Sequence, residues 1–365
     1  MSLALLLLGG VLVASAHAQQ PEALPGFRTD LSRSAIDLAD LQAGGPPKDG
    51  IPSIQEPVFI APEAAADWLA GREPVVALAV NGVARAYPLQ VLIWHEIVND
   101  VIGGTPVAVT FCPLCYSALA FERTVDGTVL SLGVSGLLRH SDMVMYDRQT
   151  ETLWQQITGE AIVGTYLGTI LNPVPAQILS FDQFRAAYPT GQVLSRDTGH
   201  QRPYGRNPYV GYDDISQRPF LYRGPVDDRV KPMEKLVVAY VNEETRAYPL
   251  LAVREAGVLT DTVDGVPLVL VHRDGVASAL AEETIADARD IGTVGVFRAE
   301  AGGRPLTFAE REGALVDTET GSTWSLTGRA TAGPLAGAQL PLLHHGTYFA
   351  FAWLAFEPDA VLVQP

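Results

Sequence analysis

Arg85-Ala86-Tyr87-Pro88-Leu89 recurs as Arg246-Ala247-Tyr248-Pro249-Leu250, and the two copies stand in similar surroundings. Residue numbers 85 and 246 set an offset of 161. At that offset the apolar run VVALAV from Val75 meets LVVAYV from Leu236, and Gly104-Thr105-Pro106-Val107 meets Gly265-Val266-Pro267-Leu268. Further on, Asp147-Arg148-Gln149-Thr150 with Trp154 meets Asp317-Thr318-Glu319-Thr320 with Trp324, at an offset of 170. Matches that keep one order with small drifts indicate a duplicated unit, so the fold must be one that the chain builds twice.

Each copy reads as a β-rich α+β unit. Val75–Val80, Pro106–Phe111 and Ser117–Arg123 alternate or are β-branched, which predicts strands. Asp126-Gly127 lies between two such runs and predicts a hairpin turn. Leu89–Val98 and Ser180–Tyr188 are the best short helices, with Pro88 suited to a first helical turn. The expected organisation is a signal peptide over residues 1–18, an extended arm over 19–55 and a first repeat over 56–195. A Pro-, Gly- and Tyr-rich connector follows over 196–232, then a second repeat over 233–365.

The opening MSLALLLLGGVLVASAHAQQ has an apolar run from Leu3 to Val13 and ends in Ala16-His17-Ala18, the pattern of a cleavable export signal. The run is too short to span a bilayer. The expected protein is therefore exported, periplasmic or extracellular, and free of the membrane once the signal is removed. The 25 basic and 41 acidic residues give a net charge of −16. Such a surface repels phosphate backbones and argues against nucleic acid as a partner; a small molecule or a metal ion is expected instead.

The two copies differ in their polar residues. At the 161 offset Trp94, His95 and Glu96 fall on Glu255, Ala256 and Gly257, while Cys112 and Cys115 fall on Arg273 and Val276. Tyr87, Pro88, Pro106, Asp147 and Trp154 have identical counterparts and read as folding residues. The scaffold is kept in both copies and one set of reactive side chains is not.

Four segments stand out: Trp94-His95-Glu96-Ile97-Val98-Asn99-Asp100, Thr110-Phe111-Cys112-Pro113-Leu114-Cys115, Ser141-Asp142-Met143-Val144-Met145-Tyr146-Asp147-Arg148 and Tyr204-Gly205-Arg206-Asn207-Pro208-Tyr209. In these the chain resembles the exported prokaryotic proteins of the domain-of-unknown-function 3179 family (DUF3179). The resemblance is close over residues 50–215 and looser beyond. The family carries no established activity, so chemistry must come from the residues.

Cys112-Pro113-Leu114-Cys115 sits between two predicted strands, as a metal knuckle does. His95 with Cys112 and Cys115 would form the ligand set, with Glu96 as a proton-handling carboxylate and Met143 or Met145 as a possible thioether cap. Two thiolates and an imidazole suit copper first and zinc second, for redox catalysis or for metal binding and delivery. Two other readings stand beside this one. Cys112 and Cys115, with His95 stabilising the thiolate, could do thiol–disulfide chemistry, although such a motif normally opens a helix. They could instead form a structural disulfide, which in so small a loop stabilises by only about 2 kcal/mol. Arg202, Tyr204, Asn207 and Tyr209 could line a substrate or anion pocket or simply pack the connector. His344-His345 reads as surface. Gly133-Val134-Ser135-Gly136 is not a nucleophile elbow, and there is no phosphate loop or HExxH motif.

Overall fold

In the computed structural model, residues 24–363 are described, so the candidate export signal lies outside the described residues. The apolar alternation of the first half becomes strands β1 (Pro74–Val80) and β2 (Val83–Pro88), helix α1 (Leu89–His95), then β3 (Ile97–Ile102), β4 (Thr105–Cys112) and β5 (Ser117–Glu122). Strands β6 (Leu132–Arg139), β7 (Asp142–Asp147), β8 (Leu153–Gln155) and β9 (Ala161–Val163) follow, then β10 (Gln177–Ser180), α2 (Phe181–Ala187) and β11 (Gln192–Leu194).

The second half runs through β12 (Lys235–Val241), β13 (Glu244–Pro249), α3 (Leu250–Ala256), β14 (Val258–Val263), β15 (Val266–Arg273) and β16 (Thr293–Arg298). It continues with β17 (Phe308–Arg311), β18 (Ala314–Asp317), β19 (Thr323–Trp324), β20 (Ala330–Ala332), β21 (His345–Phe349), α4 (Ala350–Leu354) and β22 (Val361–Leu362).

The two halves share their sheet plan. The order β10-β1-β2-β11 in one matches β21-β12-β13-β22 in the other. In both, the last strand joins parallel and the others antiparallel. A second sheet has β3-β4-β5 in the first half and β14-β15-β16 in the second. A third has β6-β7-β8-β9 and β17-β18-β19-β20.

The shared residues hold shared local structures. Asp147 accepts from the Thr150 amide, the Thr150 hydroxyl and Trp154 Nε1; Asp317 does the same with Thr320 and Trp324 Nε1. Tyr87 donates to Asp100 in the neighbouring sheet, and Tyr248 donates to Asp261 in the same way. Buried carboxylates that accept this many bonds fix a hairpin without leaving a donor unmet.

Three expectations need correction. Helix α1 stops at His95 rather than Val98, because Glu96 turns left-handed and the β-branched Ile97 and Val98 pair with Thr110 and Val109. His345 is not at the surface: it is buried, with its ring against the Leu343 and Val294 carbonyls, while the partly buried His344 stacks on Tyr240. Cys115 has no partner at Val276 either. Past Arg273 the second half makes a long excursion over residues 274–292. It rejoins the shared plan at Thr293, which pairs with Arg273 as Ser117 pairs with Cys112.

The arm crosses the first half, with Gln42–Ala43 pairing on β6 and Ile54 bridging to Val98. No helix among the described residues is long and apolar enough to cross a membrane.

Candidate metal centre

Cys112 ends β4, Pro113–Tyr116 form the turn, and Ser117 opens β5, so the motif occupies a hairpin tip as its flanking strands require. Tyr116 takes a left-handed φ of 57° to close the turn. The two sulfurs are not bonded to each other. They and a carboxylate oxygen of Asp142, the first residue of β7, all lie within 4.8 Å of one another.

Asp142 is fully buried. One oxygen accepts from Gln155 Nε2 at 2.7 Å and from the Ile157 amide at 3.0 Å. The other, Oδ1, is buried with no hydrogen-bond partner of proper geometry, and Cys115 is its neighbour. A buried, unpaired carboxylate oxygen is costly unless something positive or protic meets it. Burial raises the Asp142 carboxyl to about 6, and burial with the neighbouring acids raises both thiols, Cys115 well above its usual range.

Glu96 joins this acidic group. It is buried, and its carboxyl is pushed up to about 8 by burial and then by Asp142. Its backbone has φ = 57° at the end of α1, a conformation that costs a non-glycine residue roughly 1–2 kcal/mol. At the matching end of α3 the chain places Gly257, with φ = 67°, where that cost vanishes. One half thus carries a strained buried acid where the other carries the residue the backbone prefers. Strain kept at one of two equivalent places points to a use for the side chain.

His95 is not brought to the sulfurs. Its Nδ1 donates to the Pro52 carbonyl at 2.7 Å, and its Nε2 accepts from the Tyr204 hydroxyl at 2.7 Å. Both ring nitrogens are committed, and burial lowers the imidazole to about 4, so it stays neutral. Consecutive residues at a helix end point apart, which is how His95 and Glu96 separate. Met143 and Met145 pack in the main hydrophobic core.

The connector lies over the centre. Tyr212 donates to the Leu114 carbonyl in the cysteine turn at 3.3 Å, and the Ser141 hydroxyl beside Asp142 donates to the Phe220 carbonyl. Trp94 Nε1 donates to the Arg206 carbonyl. Burial, followed by the neighbouring Glu96 and Cys112, raises the Tyr209 phenol; Tyr212 is raised by burial with the two thiols beside it. Asn207 instead ties the connector to the excursion through Glu282 and Glu283. The Arg202 side chain keeps Nε buried without a partner.

Asp142 had one signal in the sequence: it shares a run with Met143 and Met145, just past a hairpin tip. Nothing in the spacing linked it to cysteines about thirty positions earlier.

The sequence model of the family described as Protein of unknown function (DUF3179) matches residues 48–360, and the chain belongs to that family. No curated protein and no solved structure matches the chain.

Proposed function

We propose that this is an exported metal-binding protein in which Cys112, Cys115 and Asp142 hold one ion. The two halves would descend from a duplication in which only the first kept the centre. The observation that carries the reading is the burial together of two thiols and two carboxyls, with no ion pair to Glu96 or Asp142 among the described residues. Four acids in one dry place are held by protons or by an ion. Two sulfurs and an oxygen at a hairpin tip are a donor set that an ion satisfies.

The donor set also shifts the choice of metal. A carboxylate in place of an imidazole is a poor companion for soft copper(I) and a normal one for zinc. We therefore favour zinc over copper. Three protein ligands leave a fourth position for a small molecule, as catalytic zinc sites do. Glu96, held close by, would move protons for whatever binds there. Thiol redox chemistry is less well served, since the pair sits on a hairpin with raised thiols rather than at a helix start with lowered ones.

The test is the metal content of protein purified without chelator. We expect close to one ion per chain in the wild type and a near-complete loss in Cys112→Ser. Metal-free wild-type protein with a Cys112–Cys115 disulfide would instead support the redox or structural reading.

A further inference from the structure

In the second half, the place that matches the metal centre is open. A pocket of about 550 Å³ there is lined by Arg254, Gly257, His272, Arg273, Glu310 and Glu312. These come from the end of α3, the end of β15 and the β17–β18 hairpin tip. The same three places in the first half are the end of α1 at Glu96, the end of β4 at Cys112 and the β6–β7 tip at Asp142. There Cys112, Cys115 and Asp142 are at most 1% exposed. The connector crosses this place, with Tyr204, Arg206, Tyr212 and Phe220 each bonded to one of the three walls or to the turn they enclose.

We propose that residues 204–220 are a strap that fills a small-molecule cleft over Cys112, Cys115 and Asp142, and that it withdraws to admit ion and ligand. A cleft of the size the second half exposes would suit a molecule of a few to about twenty heavy atoms. Over the centre the strap is held by single hydrogen bonds, while Asn207, Gly211 and the buried Asp213, paired with Lys235 and Arg289, anchor its far side to the second half, so the side over the centre can lift without the whole fold opening. His95 gains its role here as a clasp. Its ring is locked by Pro52, and Thr198 bonds the same Tyr204 hydroxyl that meets its Nε2. The proposal rests on the metal reading for what the cleft holds, but the strap can be tested without metal.

The experiment is N-ethylmaleimide labelling of both thiols in the reduced, metal-free full-length protein across low urea concentrations. A withdrawing strap gives a labelling rate nearly independent of urea well below the unfolding transition. Tyr204→Phe with Tyr212→Phe should raise that rate at least tenfold while the far-ultraviolet circular dichroism stays the same. For zinc-loaded protein, removal by a chelator should quicken by a similar factor with unchanged stoichiometry. A labelling rate that climbs with urea as steeply as global unfolding does would overturn the strap, as would equal rates in the double variant and the wild type. If zinc does not bind at all while labelling behaves as expected, the metal reading fails and the strap survives.

Discussion

Asp142→Asn protein should bind zinc about 100-fold more weakly than wild type, while His95→Gln should bind it within a few-fold of wild type. The first figure corresponds to roughly 2.7 kcal/mol at about 1.36 kcal/mol per tenfold. Asn keeps the shape and still accepts from Gln155 and the Ile157 amide, so the local fold survives. Its NH2 then replaces Oδ1, the oxygen beside Cys115, and an amide NH2 cannot ligate the ion. Gln in place of His95 keeps a donor for Pro52 and an acceptor for Tyr204, and touches no ligand. Competition with a coloured chelator measures both. Equal losses in the two variants, or a larger loss in His95→Gln, would restore the imidazole to the ligand set and displace the carboxylate.

Metal-free protein should lose about 2 kcal/mol of stability between pH 6.5 and pH 8, and Glu96→Gln should remove most of that loss. The sign follows from proton binding. The folded chain holds the Glu96 proton up to about pH 8, whereas the unfolded chain releases it near 4.5. Between those values the folded state binds more protons, so stability falls as pH rises. Across the 1.5 pH units from 6.5 to 8 the loss is on the order of 1.36 kcal/mol per unit.

Asp142 acts in the same sense but is finished by about pH 6. Lowered histidines such as His95 act in the opposite sense and contribute below 6.5. Glu96 faces Asp142, Cys112 and Tyr209, all acids, so no neighbouring cation reverses the trend. Urea unfolding at four or five pH values measures it. Zinc-loaded protein should show stability that rises with pH instead, because its ligands must shed protons to bind. A flat profile for metal-free wild type would mean that Glu96 reaches solvent and is an ordinary carboxylate.

Much of this architecture could be read from side-chain order alone. The RAYPL repeat marks one recurring corner, where a strand ends at proline and a helix starts, and both copies form it. Placement of the CxxC between strands followed from the alternation on either side. The ligand set was harder. His95 and Glu96 are adjacent in the chain, but the left-handed Glu96 at the helix end sends their side chains apart. Asp142 joins the cysteines through the way the β6–β7 tip lies against the β4–β5 tip, a contact between hairpins that no local pattern encodes. The alignment at Val276 failed for a related reason, since the offset is blind to the excursion over residues 274–292 until the strands beyond it are paired.

X-ray absorption at the metal edge of protein loaded with one equivalent of zinc reads the ligand shell itself. Two sulfurs at about 2.3 Å with oxygen at about 2.0 Å are expected. A shell of nitrogen and oxygen without sulfur, or zinc that washes away while both thiols stay free, would contradict the proposed centre.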